Sequence, residues 1–548
     1  MTTRAAAVAE PNSPVPPVRG VIETQWQFVT DDLGPLHAQL QNGAHLAGFS
    51  LVRRAPRDLI DRYVDTTDLR LARAGVALRL RSDGVHNKAT LKSLQANSSG
   101  PKQRRKITQP MSDGRIESLL AATGPVAERT RIVASGAPLD AVFTAHTHRE
   151  VFQALRGDID VAAITLDSTA LSNRGEVTAT GLLQRVEVEL HSATIDDVQP
   201  LVDKLSESAL LAPAQASKFE TGLASVGRRL PAPPDAGTAL VDTGMSAAAA
   251  GQLLLRHQLE MWRSLEPAVR LGEDPEALHQ LRVTGRRLVA VLRLLEAAPL
   301  AGAQPLRPRL RAVLRRSSAA RDLDVQRAEI ETVNRTAAHG ALQPLLDELE
   351  RRRAKQQTAL LRVLDALRTR QLFLAFERLA DLPPRRRPLE PAVVTAERLI
   401  RERFRKTRKA ARLMDRSASA ENLHQLRLEA KKLRYIAELF VSVYGAPMRR
   451  FLRRLQRVQN VLGRVNDAHQ AMTNLEALVQ RRRRALPPGA VFAMGRISEQ
   501  QHQQLLAQRA QWPRTWRNVS GKCWRRLGRC MKELSAETVA GAAAGQAA

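Results

Sequence analysis

Aromatic side chains make up only 3% of this sequence. Proteins that grip single strands, or read bases splayed out of a helix, stack those bases on aromatic faces. Base recognition is therefore a weak reading of the chain. Cysteine is scarcer still: Cys523 and Cys530 are the whole complement. Two thiols make neither a disulfide framework nor a metal cluster, so a reducing cytoplasm is the expected compartment. No apolar run approaches the roughly 20 residues of a membrane span, and no membrane partner is expected. The alanine- and proline-rich opening is broken by Glu10 and Pro11 too soon for a secretory signal. Acidic residues are also in short supply, 55 against 85 lysines and arginines.

The resulting net charge of +30 is the largest signal in the chain. Self-repulsion on that scale calls for a negative partner: nucleic acid, anionic lipid or a phosphate polymer. A hydrophobic fraction of 43% is enough for real cores, and 548 residues are enough for several compact units.

Proline and glycine mark the seams. The first 19 residues read as disordered. A linker is expected at 227–244, with Pro231, Pro233 and Pro234, and a second break runs from Pro383 to Pro391. The alanine- and glycine-rich end, 536–548, reads as a frayed tail. Between residues 20 and 226 the hydrophobic pattern has period two, as in Ile22–Phe28, Val76–Arg81 and Arg185–Leu190. Such segments are strands with one apolar and one polar face. In an open sheet the charged faces would meet water; in a closed barrel they would share a lumen. Helical patterns intervene at 35–47, 116–122 and 195–208.

From 245 to 535 the period is 3.6. Leu281, Leu288, Leu292 and Leu295 form one stripe, and Leu426, Leu433, Ala437 and Phe440 another. Both are core faces of packed helices. They belong to an internal repeat. His279-Gln280-Leu281-Arg282 recurs as His424-Gln425-Leu426-Arg427, an offset of 145 residues. At that offset Arg286-Arg287-Leu288 becomes Lys431-Lys432-Leu433, Arg309-Leu310 becomes Arg454-Leu455, and Asp322 becomes Asp467. Asp274 and Ser419, both good N-caps, precede the two helices. Copies spanning about 245–390 and 391–535 are expected, each the size of a helical bundle.

His279, Arg282 and Arg286 stand at i, i+3 and i+7, on one helix face opposite the leucines; His424, Arg427 and Lys431 repeat the arrangement. An imidazole and two cations in a row, near a helix start, suit an anion. From residue 391 onward the charge excess is on the order of +20. No nucleophile or acid is spaced to work with either histidine, and Asp322 and Asp467 read as partners that orient arginines.

The repeated His-Gln-Leu-Arg, the basic residues after it and Arg321-Asp322-Leu323-Asp324-Val325 resemble the CHAD domain, the conserved-histidine α-helical domain. The resemblance implies two four-helix bundles around a basic cavity that holds inorganic polyphosphate, and a place on polyphosphate granules. The residues it points to are His279, Arg282, Arg286, Arg287, Arg309, Arg321, His424, Arg427, Lys431, Lys432 and Arg454. The second copy departs at Asn466-Asp467-Ala468-His469.

The N-terminal half is similar to the CYTH family, on Tyr63-Val64-Asp65-Thr66, Leu69-Arg70-Leu71, Gly75–Arg81 and Thr90-Leu91-Lys92. That likeness implies a triphosphate tunnel, an antiparallel barrel whose cations hold the phosphates: here Arg79, Arg81, Lys92, Arg105, Arg149 and Lys218. Lumen glutamates would hold Mg or Mn, and Glu23, Glu187 and Glu189 remain for that role. Where the family opens with Glu-x-Glu-x-Lys, this chain has Glu23-Thr24-Gln25-Trp26-Gln27. Lys106 and Arg185 also stand where glutamates are usual. A triphosphate-binding tunnel with weak or lost hydrolysis is the expectation, with a metal-dependent inorganic triphosphatase second and a nucleic-acid binder third.

Overall fold

The alternating segments pair into one closed antiparallel sheet. The computed structural model describes residues 20–547 except 44, 95–100, 174–175, 178–181, 233–239, 299, 301, 337–341, 384–389, 417–418, 483–485 and 487. The N-terminal stretch expected to be disordered, the middle of the linker, and Pro384 and Pro388 of the second seam lie outside the described residues.

The strands are β1 (Val21–Thr30), β2 (His45–Leu46), β3 (Phe49–Thr66), β4 (Val76–Ser82), β5 (Asn87–Ser93), β6 (Lys102–Met111), β7 (Leu139–Arg156), β8 (Ile159–Asn173), β9 (Glu176–Val177), β10 (Leu183–Leu190) and β11 (Ala212–Pro213). Eight of them close the ring in the order β10, β1, β6, β5, β4, β3, β7, β8 and back to β10. Helices α1 (Gly34–Asn42), α2 (Arg70–Arg73), α3 (Ile116–Ala121), α4 (Pro125–Ala134), α5 (Ile195–Ser206) and α6 (Lys218–Ser225) fill the connections. Outward-facing aliphatics such as Val186, Val188, Ile164 and Leu166 are buried with Val198, Leu201 and Leu205 of α5. Much of the barrel's apolar packing therefore lies outside the ring, and a second apolar cluster, in which Tyr63, Ala77, Phe143 and Ala145 meet Phe219 and Leu223 of α6, shares the lumen face with the polar side chains.

The second half is helical throughout: α7 (Ala247–Leu271), α8 (Pro275–Ala297), α9 (Leu306–Arg316), α10 (Ser318–Thr336), α11 (Gln343–Asp365), α12 (Leu367–Ala380), α13 (Ala392–Arg416), α14 (Ala420–Glu438), α15 (Val441–Arg482), α16 (Pro488–Ser520) and α17 (Lys522–Ala547). The repeat is visible in the starts: α13 follows α7, α14 follows α8 and α16 follows α11, each by 145 residues. Every residue of the two leucine stripes is buried. A fully buried leucine contributes about 1.5–3 kcal/mol. Helices α8 and α14, which carry the two His-Gln-Leu-Arg segments, pack on each other where the copies meet. Ser419 caps α14 by accepting the amide of Asn422 at 3.2 Å.

One difference from the sequence reading has a physical cause. The end of the chain is helical through Ala547, because alanine carries the highest helix propensity and outweighs the scattered glycines. In α15 the helix breaks at Gly445, whose φ of 52° is open to glycine at little cost. Tertiary contacts divide the chain into one unit of residues 1–234 with 264–274 and another of 235–263 with 275–548.

Candidate functional site

Strand register decides which side chains enter the barrel. Glu23 stands opposite Arg104, Gln25 opposite Lys102 and Glu189, and Gln27 opposite Glu187. Lys92 faces Lys106, Arg79 faces Tyr63, Arg81 faces Asp61, and Arg149 faces Asp167. Cross-strand partners share a face, so all of these line the lumen. A cavity of about 60 Å³ runs between Gln27, Arg79, Lys92, Arg104, Arg149, Glu187 and Lys218.

Many of these cations are already paired. Arg81 holds Asp61 through two bonds of 2.6 Å, with Arg79 3.6 Å from the same carboxylate. Arg149 holds Asp167 the same way, and Lys218 adds a bond of 2.9 Å. Burial works against the charge on Asp61 and Asp167, but the surrounding cations prevail and hold both well below the usual carboxylate range. What remains for a ligand is specific: Arg79 Nε, Arg104 Nε, and Nε and Nη1 of Arg185 are buried with no hydrogen-bond partner among the described residues. A buried donor left open in this way is costly unless an acceptor arrives.

The carboxylates expected to hold metal are occupied by protein. Glu23 is bound by Lys92 and, at 3.0 Å, by Lys106. Burial would raise Glu23, yet the two ammonium groups hold it at about 2. Glu189 lies 3.9 Å from Lys106, and burial and the adjoining Glu23 charge push it upward. Glu187 accepts from Gln27 at 2.8 Å and faces Arg149 at 3.7 Å. Among the described residues no group of three His, Cys, Asp or Glu is placed to hold a metal. Mg and Mn demand several hard oxygens free to coordinate. Glu23, Glu187 and Glu189 as arranged here do not fit that demand.

Arg105 is a correction. It stands opposite Ile22, on the outer face of β6, because alternation sends Lys102, Arg104 and Lys106 inward. Arg104 is the lumen arginine of this strand.

The helical half has its own cationic cluster at the seam of α8 and α14. His279 is half-buried and feels Arg321, Arg286 and Lys431; burial and these charges keep its imidazole below the ordinary range. Lys431 sits among Arg427, Arg286 and Arg434. Burial, then Arg427 and Arg286, push its ammonium down to about 7, despite Asp467. One stretch of each helix thus supplies cations to a common locus, and Arg321 of α10 joins them.

The two copies use their arginines differently. Arg282 Nη1 donates to Leu314 O at 3.0 Å, Ser317 Oγ at 2.7 Å and Ser318 Oγ at 3.1 Å, tying the junction of α9 and α10. Burial and Arg286 lower its pKa to about 10. At the 145-residue offset, Ser317 and Ser318 become Leu462 and Gly463. The hydroxyls are gone and α15 runs through. Arg427 turns to Asp467 at 3.6 Å, and its buried Nε has no hydrogen-bond partner among the described residues.

Other residues from the resemblance lie in structural contacts. Arg287 pairs with Glu438 at 3.2 Å and Lys432 with Glu429 at 2.6 Å. Arg309 and Arg454 donate to backbone carbonyls of Arg368 and Asn518, at 3.1 and 2.8 Å. Arg321, besides its place at the seam, donates to Pro275 O at 3.2 Å, whereas His424 is exposed.

Sequence reasoning missed Asp61, Asp167, Arg104 and Arg434. Asp61 was within reach: with Tyr63 and Asp65 it keeps period two through Asp61–Asp65. Asp65 departs from the lumen and instead accepts the amides of Thr66, Leu71 and Ala72 at 2.7–2.9 Å, fixing the start of α2.

Comparison with known proteins agrees with both halves. Residues 37–223 match the CYTH domain and residues 253–476 the CHAD domain. No curated protein matches the chain. Among solved structures, the CHAD domain of the plant Ricinus communis is 28% identical, covering 51% of this chain and 96% of its own, with a TM-score of 0.42. A Hippeastrum protein in which a triphosphatase activity is dominant is 20% identical over 38% of this chain and 98% of its own, TM-score 0.29. PptA from Streptomyces chartreusis is 19% identical, over 50% and 100%, TM-score 0.37. The chain is a CYTH–CHAD domain protein, a β-barrel CYTH domain followed by a helical CHAD domain.

Proposed function

We propose that this protein binds inorganic polyphosphate through the cationic seam of its CHAD domain, with a CYTH tunnel that binds triphosphate and hydrolyses it weakly or not at all. The observation that carries the reading is the convergence of His279, Arg286, Arg321, Arg427 and Lys431 on one seam, where burial and then the neighbouring cations bring Lys431 down to about 7. Cations forced together at a helix seam are stabilised by an anion with closely spaced charges, and a phosphate chain has that spacing. On this reading the protein belongs at polyphosphate granules. No described helix is long and apolar enough to cross a membrane.

Replacing Arg286, Arg321, Arg427 and Lys431 by alanine tests it against an equal change elsewhere. Arg405, Arg408, Lys409 and Arg412 are exposed along α13 and serve as the control. The seam set should weaken polyphosphate binding at least about tenfold more than the control, since close ion contacts outweigh screened surface charge. Equal losses would mean that net charge alone does the binding.

The second reading, a metal-dependent inorganic triphosphatase, is favoured by the CYTH match. Phosphate release from tripolyphosphate with Mg or Mn separates the two. The expected result is little or no turnover by the native chain, with a gain when Gln25→Glu, Gln27→Lys and Lys106→Glu are combined. Robust native turnover abolished by Glu187→Gln would favour the enzyme.

A further inference from the structure

The lumen contains an arrangement that the binding reading does not by itself require. Glu23 and Glu189 come from β1 and β10, neighbouring strands, and adjoin each other in the barrel. Two carboxylates side by side are a liability unless something positive lies between them. In a site built for a divalent ion that charge arrives from solution. Here the chain supplies it. Lys106 on β6 extends its ammonium to Glu23 at 3.0 Å and to Glu189 at 3.9 Å, while Lys92 on β5 takes the second oxygen of Glu23. Lys106 and Lys92 are cross-strand neighbours, so the backbone register itself delivers both ammonium groups to one carboxylate.

We propose that Lys106 is a built-in counter-cation for Glu23 and Glu189, supplying the positive charge that a divalent metal would otherwise bring to these carboxylates, so that the tunnel takes up a triphosphate-like anion without metal. This rests on the tunnel reading given above. The neighbouring amides agree with it. Gln25 accepts from Lys92 at 3.5 Å and Gln27 from Lys102 at 3.2 Å, and neither adds a charge that would draw in a divalent ion. The carboxylates are thus held by lysines, while the open nitrogens of Arg79 and Arg104 are left for phosphate oxygens. The locus supplies charge balance and anchorage. No hydrolytic step is assigned to it.

The test uses the full chain and two probes. Mn2+ binding is followed by loss of the free-ion electron paramagnetic resonance signal. Tripolyphosphate binding is followed by calorimetry in EDTA and again in Mn2+, and the tunnel's share is the part that Arg79→Ala removes. In the native chain that share should be the same in both buffers to within about twofold. Lys106→Glu should bind Mn2+ at least about tenfold more tightly than the native chain, the scale on which changes around a metal site act. Lys106→Met removes the ammonium without adding a carboxylate and should also gain Mn2+ affinity, while Lys106→Arg should behave as native. A native chain that binds Mn2+ as tightly as Lys106→Glu, or whose tunnel share vanishes in EDTA, overturns the proposal and leaves the tunnel reading intact. If Arg79→Ala removes nothing in either buffer, the tunnel does not bind triphosphate and both readings fall together.

Discussion

A single lysine reports on the seam most directly. Lys431 ordinarily would titrate near 10.5, and in the folded chain it does so at about 7. The unfolded chain keeps that proton up to 10.5 whereas the folded chain releases it from about 7 upward. Stability therefore carries the cost of the buried, crowded charge below pH 7, and recovers it as pH rises between those two values. A bound polyanion reverses the balance by favouring the ammonium again. Polyphosphate binding near pH 8 should then take up as much as about one proton per site, visible as calorimetric enthalpies that differ between buffers of different protonation enthalpy. Lys431→Arg should abolish the difference, because guanidinium stays charged. Binding with no proton uptake by the native chain would place Lys431 outside the site.

Helices and strands show why some of this was legible in the sequence and some was not. The leucine stripes, the 145-residue repeat and the alternating strands depend on local periodicity, and these follow the sequence directly. Partners depend on register. Arg104 and Arg105 are adjacent, and a shift of one residue sends one into the lumen and the other out. Asp61 and Asp167 come from long strands, β3 and β7–β8, whose pairing has register shifts at Arg54/Arg57 and Ala154/Leu155. No single-strand pattern announces which arginine each will meet. The asymmetry of the copies was readable at the offset, in Ser317-Ser318 against Leu462-Gly463, but its consequence needs the helix junction. Arg282 bonds three oxygens at that junction; among the described residues Arg427 has no such bonds there. Arg282→Ala should lower stability by about 1–3 kcal/mol in denaturant unfolding, the cost of stranding buried partners, with a smaller effect on binding. Arg427→Ala should do the opposite, weakening polyphosphate binding and changing stability by less than about 1 kcal/mol. Equal effects of the two substitutions on both measurements would make the copies functionally alike.

At the scale of the whole molecule, a net charge of +30 attracts any polyanion, so affinity alone identifies nothing. Both polyphosphate and duplex DNA should bind, and both should weaken steeply with salt as counterions are released. Geometry separates them. A phosphate chain is narrow and flexible enough to reach half-buried cations such as Lys431, Arg427 and Arg286. A duplex is a wide, stiff rod that meets only exposed charge, and the scarcity of aromatics leaves little with which to read it. The decisive measurement is a competition at physiological salt between long-chain polyphosphate and duplex DNA matched in phosphate concentration. Polyphosphate should displace DNA at least about tenfold more effectively than the reverse, and alanine at Arg286, Arg321, Arg427 and Lys431 should erase that preference while leaving DNA binding largely in place. If DNA displaces polyphosphate equally well, or the preference survives those four substitutions, the seam is not a polyphosphate site and only a basic surface remains.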